Sequence, residues 1–168
     1  NIQQDVALSE DVQAARGFDR TGEERLLYTY IGKIYRESLD YTKAIDAYQR
    51  KLKLYPSNTE PRNLTARAVI QNQLGYFQYK LGQSADAIKS FAESLRIAEQ
   101  LQSWPGVVLN ATNLGRMACE RLADGNLQTA ELSGAIKAML NALDVIRREK
   151  LETHYQFRIH LCNQLGVL

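Results

Sequence analysis

Residues 28–48 read YTYIGKIYRESLDYTKAIDAY, and this stretch decides the fold. Gly32 sits inside a run whose apolar residues recur at helical spacing, and Ala44 and Tyr48 stand four residues apart in the run that follows. A glycine inside a helix costs about 1 kcal/mol relative to alanine, so its presence needs a cause. The arrangement returns along the chain: Ile31-Gly32, Leu74-Gly75, Leu114-Gly115 and Leu165-Gly166 step by 43, 40 and 51 residues. Close approach of another helix is the natural cause, because a side chain at such a point would overpack the contact. The approaching helix is written downstream of the first three glycines as a small residue followed by a large one. The pairs are Ala44 with Tyr48, Ala87 with Phe91, and Ala135 with Met139. A spacing of four places both members on one helical face, the small one permitting contact and the large one filling the space beyond it.

Working outward, short breaks separate the two helices of each unit at Ser38-Leu39-Asp40, Leu81-Gly82-Gln83-Ser84 and Ala123-Asp124-Gly125-Asn126. Gly82 suits a left-handed position at a helix C-terminus. Thr21 with Glu24, and Ser57 with Glu60, fit the capping box, while Pro56 ends the helix before it. Helices are expected near 3–16, 23–38, 42–55, 60–81, 84–101, 106–122, 129–148 and 151–166. The third unit carries roughly eight extra residues between its helices, read as an insertion at 123–134 without a packing role, either a tolerated surface insertion or a partner contact.

Composition narrows the function classes. The chain of 168 residues has a net charge of +2, which gives no bulk attraction to nucleic acid or to an anionic membrane. Charged residues interrupt every apolar run well short of the roughly 20 residues a membrane helix needs. Cys119 and Cys162 form no CxxC pair, lie in helical patterns, and point to a reducing, cytoplasmic setting. His154, His160 and Cys162 match no zinc spacing, so no metal and no cofactor is expected. No nucleophile elbow, phosphate-binding glycine loop or H-E-x-x-H motif occurs, so no catalytic residue is assigned and an enzyme is not expected in this stretch. The chain opens without a methionine and stops inside an apolar pattern, which suggests a longer protein.

The repeated unit resembles the tetratricopeptide repeat family, in its extended form of about 40 residues. Residues 25–58 carry the resemblance best: Tyr28, Ile31-Gly32, Tyr35, Ala44, Tyr48 and Pro56 fall on the family's W-x2-L-G-x2-Y, A-x3-F and P positions. The second unit keeps Leu74-Gly75, Ala87, Phe91 and Ser94, with Gln71 and Gln78 at the outer aromatic sites. The third keeps Leu114-Gly115 and Ala142, and a fourth begins with Cys162 and Leu165-Gly166. The resemblance implies an all-α chain, a superhelix of antiparallel helix pairs over 21–168, with repeats near 25–60, 61–104 and 105–150 and a partial one at 151–168. Residues 1–20 are then an N-terminal helix, either a cap or the remnant of an earlier repeat.

Such arrays bind proteins or extended peptides on a concave surface lined by the first helices. With the motif glycine as the eighth residue of each repeat, the resemblance places Thr29, Lys33, Arg36, Asn72, Tyr76, Tyr79, Thr112, Arg116 and Asn163 in that groove, beside Leu26, Val69 and Leu109. Asparagine amides and threonine hydroxyls suit a peptide backbone, and the tyrosines offer flat amphipathic surface. Lys33, Arg36 and Arg116 favour an acidic partner, and charge reversal at Lys33 with Arg116 is expected to weaken its capture. The family's clamp for a C-terminal carboxylate needs asparagine directly after the glycine; Lys33, Tyr76 and Arg116 stand there instead. Two other readings stay open. One is self-association through the apolar C-terminal helix; the other is a regulatory repeat domain of a larger signalling, DNA-binding or catalytic protein.

Overall fold

A computed structural model describes residues 20–56, 60–126, 128–149 and 155–167. They form seven helices, α1 (Arg20–Glu37), α2 (Tyr41–Lys53), α3 (Pro61–Lys80), α4 (Ser84–Gln100), α5 (Trp104–Ala123), α6 (Thr129–Arg148) and α7 (Tyr155–Val167), and no strand occurs among the described residues. Each helix packs on the next, and α7 packs on α5 as well as α6. The N-terminal helix expected near 3–16 lies outside the described residues.

The glycines sit where helices meet. A Cβ added to Gly75 would come within 2.8 Å of the Phe91 ring, one added to Gly32 would collide with the Tyr48 ring, and one added to Gly115 would collide with Met139 and with Gln164 of α7. Each large residue of the small-large pairs therefore rests on the glycine of its own unit. Ala44, Ala87 and Ala135 are buried beside them. Gly166 has nothing within 4 Å of its would-be Cβ, so no helix presses on it among the described residues. Around these contacts the core falls into successive clusters. Tyr48, Ile70, Leu74 and Phe77 fill one, Phe91, Val108, Leu114, Met117, Met139 and Leu161 a second, and Ala98, Val107 and Val145 a third.

The turns inside the units share one geometry. Leu39, Gly82 and Gly125 adopt φ of 60°, 72° and 70°. The next residue's N–H then reaches back to the carbonyl five positions earlier, Asp40 to Tyr35, Gln83 to Gln78 and Asn126 to Arg121, each at 2.9 Å. This closure satisfies carbonyls that the helix end leaves orphaned. Gln102, at φ 52°, makes the same closure between α4 and α5, with Ser103 N–H 2.8 Å from Ala98 O.

Three expectations change. α1 is already helical at Arg20, so Thr21 lies inside the first turn and does not cap it. α3 is capped at Glu60, in extended geometry, and starts on Pro61. Proline disfavours helical geometry in the residue before it and is pre-set for the first helical position, which fixes the boundary more firmly than a hydroxyl cap. The extra residues of the third unit are largely helical. α1 and α3 end five residues past their glycines whereas α5 runs eight past Gly115; α6 starts six residues before Ala135, against three for α2 before Ala44 and α4 before Ala87. Arg121 bonds Asn126 O at 2.6 Å and pairs with Glu131 at 3.1 Å, tying the longer hairpin across its turn. Gln128 and Glu131 form a reciprocal cap at the start of α6.

Candidate functional site

Helices α1, α3 and α5, the first helices of the three units, converge on one recess of about 490 Å³. Arg36 enters from α1, Asn72, Gln73 and Tyr76 from α3, and Leu109, Asn113 and Arg116 from α5. Two polar bridges hold α3 beside α5. Asn72 Nδ2 donates to Asn110 Oδ1 at 2.9 Å, and Tyr79 Oη donates to Glu120 Oε1 at 2.8 Å. Asn110 is buried and in turn donates to Gly106 O at 2.8 Å, so the bridge is anchored to the α5 backbone. The hydrogen bond to Glu120, with some burial, holds the Tyr79 phenol above its ordinary pKa. At neutral pH the phenol therefore keeps the proton that makes the bridge.

The Arg116 guanidinium lies 4.7 Å from the Tyr79 ring centroid, and its Nη2 meets Asn113 Oδ1 at 3.3 Å. Stacking fixes the plane of the guanidinium and leaves its fork of donors to other partners. Its Nε is buried with no hydrogen-bond partner among the described residues. The guanidinium therefore meets a ligand through its Nη groups, since Nε is closed to solvent. Neither Arg36 nor Arg116 is in an ion pair among the described residues, and the lining contains no carboxylate. With two arginines in the lining against one nearby carboxylate, Glu120 behind Tyr79, the local field favours an anion.

The residues singled out in the sequence divide accordingly. Arg36, Asn72, Tyr76 and Arg116 line the recess, and Tyr79 backs Arg116. Thr29, Lys33, Thr112 and Asn163 are outside its lining. Thr29 and Thr112 hydroxyls donate to carbonyls of their own helices, Arg25 O at 2.7 Å and Val108 O at 2.8 Å, which removes the donors a peptide would use. Lys33 is exposed, and Asn163 is exposed on α7. Gln73 and Asn113 join the lining although neither was singled out. The signal for both was present: each stands two residues before a motif glycine.

A larger hollow of about 950 Å³ lies between α4 and α6, lined largely by apolar groups such as Leu95, Leu132, Ile136 and Leu140. Its two charged residues, Glu99 and Lys137, are of opposite sign, and Glu99 accepts from Asn141 Nδ2 at 2.8 Å, so the smaller recess, whose lining charges are all positive, is the better candidate for specific recognition. No helix among the described residues is long and apolar enough to cross a membrane, and none of the described histidine, cysteine, aspartate and glutamate residues form a group of three that could hold a metal ion. No family model matches the chain, and no curated protein matches its sequence.

Proposed function

We propose that this chain is a binding module, a helical repeat array of the tetratricopeptide type. On this reading α1, α3 and α5 line the concave side of a superhelix and hold an acidic segment of another protein. The observation that carries the reading is Arg116: stacked on Tyr79, in no ion pair among the described residues, in a recess shared with Arg36. A carboxylate accepting from such a guanidinium gains a charge-assisted bond with fixed geometry. The carboxamides of Asn72, Gln73 and Asn113 add donors and acceptors for a peptide backbone. The chemistry is recognition, with no group in the recess that would act as a nucleophile or a matched acid and base.

Selection of a random dodecapeptide display library on the wild type and on an Arg36→Glu, Arg116→Glu double variant tests this. The wild type should enrich peptides bearing aspartate or glutamate, and the double variant should lose that enrichment. Equal enrichment on both proteins, or none on the wild type, overturns the reading.

A further inference from the structure

The basic recess is one half of a longer groove. A second hollow of about 450 Å³ adjoins it along α3 and α5, and the two share Asn72, Gln73 and Leu109. The second hollow has a different chemistry: Ala68, Val69, Gly106 and Leu109 line it, and Val69 and Leu109 are exposed at 56% and 41%. Two large aliphatic side chains held open beside a cationic recess offer an apolar anchor next to an anionic one.

Helix geometry sets the distance between the anchors. Val69 precedes Tyr76 by seven residues on α3, and Leu109 precedes Arg116 by seven on α5. At about 1.5 Å per residue, both helices put the apolar and the basic ends about 10 Å apart. A peptide in the polyproline II conformation rises about 3.1 Å per residue with three residues per turn. Its side chains three positions apart therefore face one way and stand about 9 Å apart. A β-strand misses this mark, because same-face neighbours fall near 7 or 13 Å at about 3.3 Å per residue. A helical ligand would match at a spacing of seven, but its backbone groups are already paired. The carboxamides of Asn72 and Gln73, lying between the anchors, suit a ligand whose amides are still free, as they are in polyproline II.

We infer that the groove reads an extended peptide carrying an aliphatic and an acidic side chain three residues apart, the first against Val69 and Leu109, the second on Arg116 and Arg36. This rests on the peptide-binding reading above and adds a spacing to it. The test is a set of synthetic peptides, each with one leucine and one aspartate in a serine-glycine background, at spacings from one to seven in both orders. Titration into 15N-labelled protein, following the Arg116 Nε–H and Asn72 side-chain resonances, gives a dissociation constant for each. The account predicts tightest binding at a spacing of three in one order, at least about fivefold tighter than at one or five. It also predicts that Val69→Ser flattens the preference while Arg116→Gln weakens binding about tenfold or more at every spacing. Arg116-dependent binding with no spacing preference, or with its optimum at seven, overturns the spacing and leaves the peptide-binding reading standing. No binding at any spacing overturns both.

Discussion

The ring of Tyr48 rests on the backbone of Gly32 so closely that a single methyl group on Gly32 would collide with it. Phe91 stands in the same relation to Gly75, and Met139 to Gly115. This contact is the device by which each sequence unit closes on itself. It also sets the sign of a substitution that would otherwise stabilise a helix. Gly32→Ala and Gly75→Ala each gain about 1 kcal/mol of helix propensity, but pushing a ring out of a packed contact costs about 1–3 kcal/mol or more. Both variants should lose up to about 2 kcal/mol, seen as a fall in Tm of up to roughly 4–8 °C for a chain of this size. Gly134 lies in the interior of α6 with nothing within 4 Å, so Gly134→Ala should gain up to about 1 kcal/mol and raise Tm. Thermal unfolding followed by circular dichroism checks all three. The same sign at Gly32 and Gly134 would contradict the packing account.

Leu39 holds the left-handed turn that Gly82 and Gly125 hold in the other two units, and its side chain is 68% exposed. Left-handed geometry costs a residue with a Cβ about 1–2 kcal/mol, and glycine's extra freedom in the unfolded chain returns about 0.5–1 kcal/mol of that. Leu39→Gly should therefore stabilise by about 0.5–1 kcal/mol, measured as a higher urea midpoint at unchanged slope. A lower midpoint would show that Leu39 makes a contact that outweighs its strain.

The two cysteines should react at different rates. Cys119 is half-buried, its thiol points at Gln164 O 3.6 Å away, and burial pushes its pKa up, whereas Cys162 is exposed on α7. A raised pKa leaves less thiolate at neutral pH, and thiolate is the reacting form. Limited labelling with N-ethylmaleimide, read by peptide mass spectrometry, should modify Cys162 about tenfold faster or more. Equal rates would mean that α7 does not cover Cys119 in solution.

These outcomes bear on how much the sequence disclosed. Gly32, Gly75 and Gly115, with Tyr48, Phe91 and Met139, were legible because spacing along a helix encodes which face meets a neighbour. Gln164 pressing on Gly115 was not, since that contact joins α5 to α7 and no local pattern records it. The left-handed turn at Leu39 was not legible, because such a turn announces itself only when glycine fills it. The start of α3 is set by the ring of Pro61, a signal that stands in the sequence beside the competing Ser57-Glu60 capping pattern. In the recess, the register counted from the glycine found Arg36, Asn72, Tyr76 and Arg116 but left out Gln73 and Asn113. A helix face facing a hollow is wider than one side chain per turn, and residues beside the counted positions reach it too. The engagement of the Thr29 and Thr112 hydroxyls was not legible either, because a hydroxyl in a helix finds its own backbone carbonyl first.

Lys33 separates a charge on the rim from charges in the recess. It is exposed and outside the lining, so on the proposed reading it would steer an acidic partner without bonding it in a fixed geometry. Lys33→Glu should weaken binding of an acidic peptide by about threefold or less at physiological salt, with the loss falling mainly on the association rate. Stopped-flow association kinetics checks this; a loss as large as that of Arg116→Glu would move the binding site onto the outer face of α1.

Whether Arg36 and Arg116 together hold an acidic peptide is measured by fluorescence anisotropy of a peptide selected on the wild type, titrated with wild type, each single charge reversal and the double. A hydrogen bond to a charged group contributes about 1.5–3 kcal/mol, which is roughly tenfold or more in Kd for each arginine. The account predicts at least about tenfold weaker binding for Arg116→Glu, and a further loss in the double variant, with helical circular dichroism unchanged. A folded double variant that binds the peptide as tightly as the wild type would contradict it.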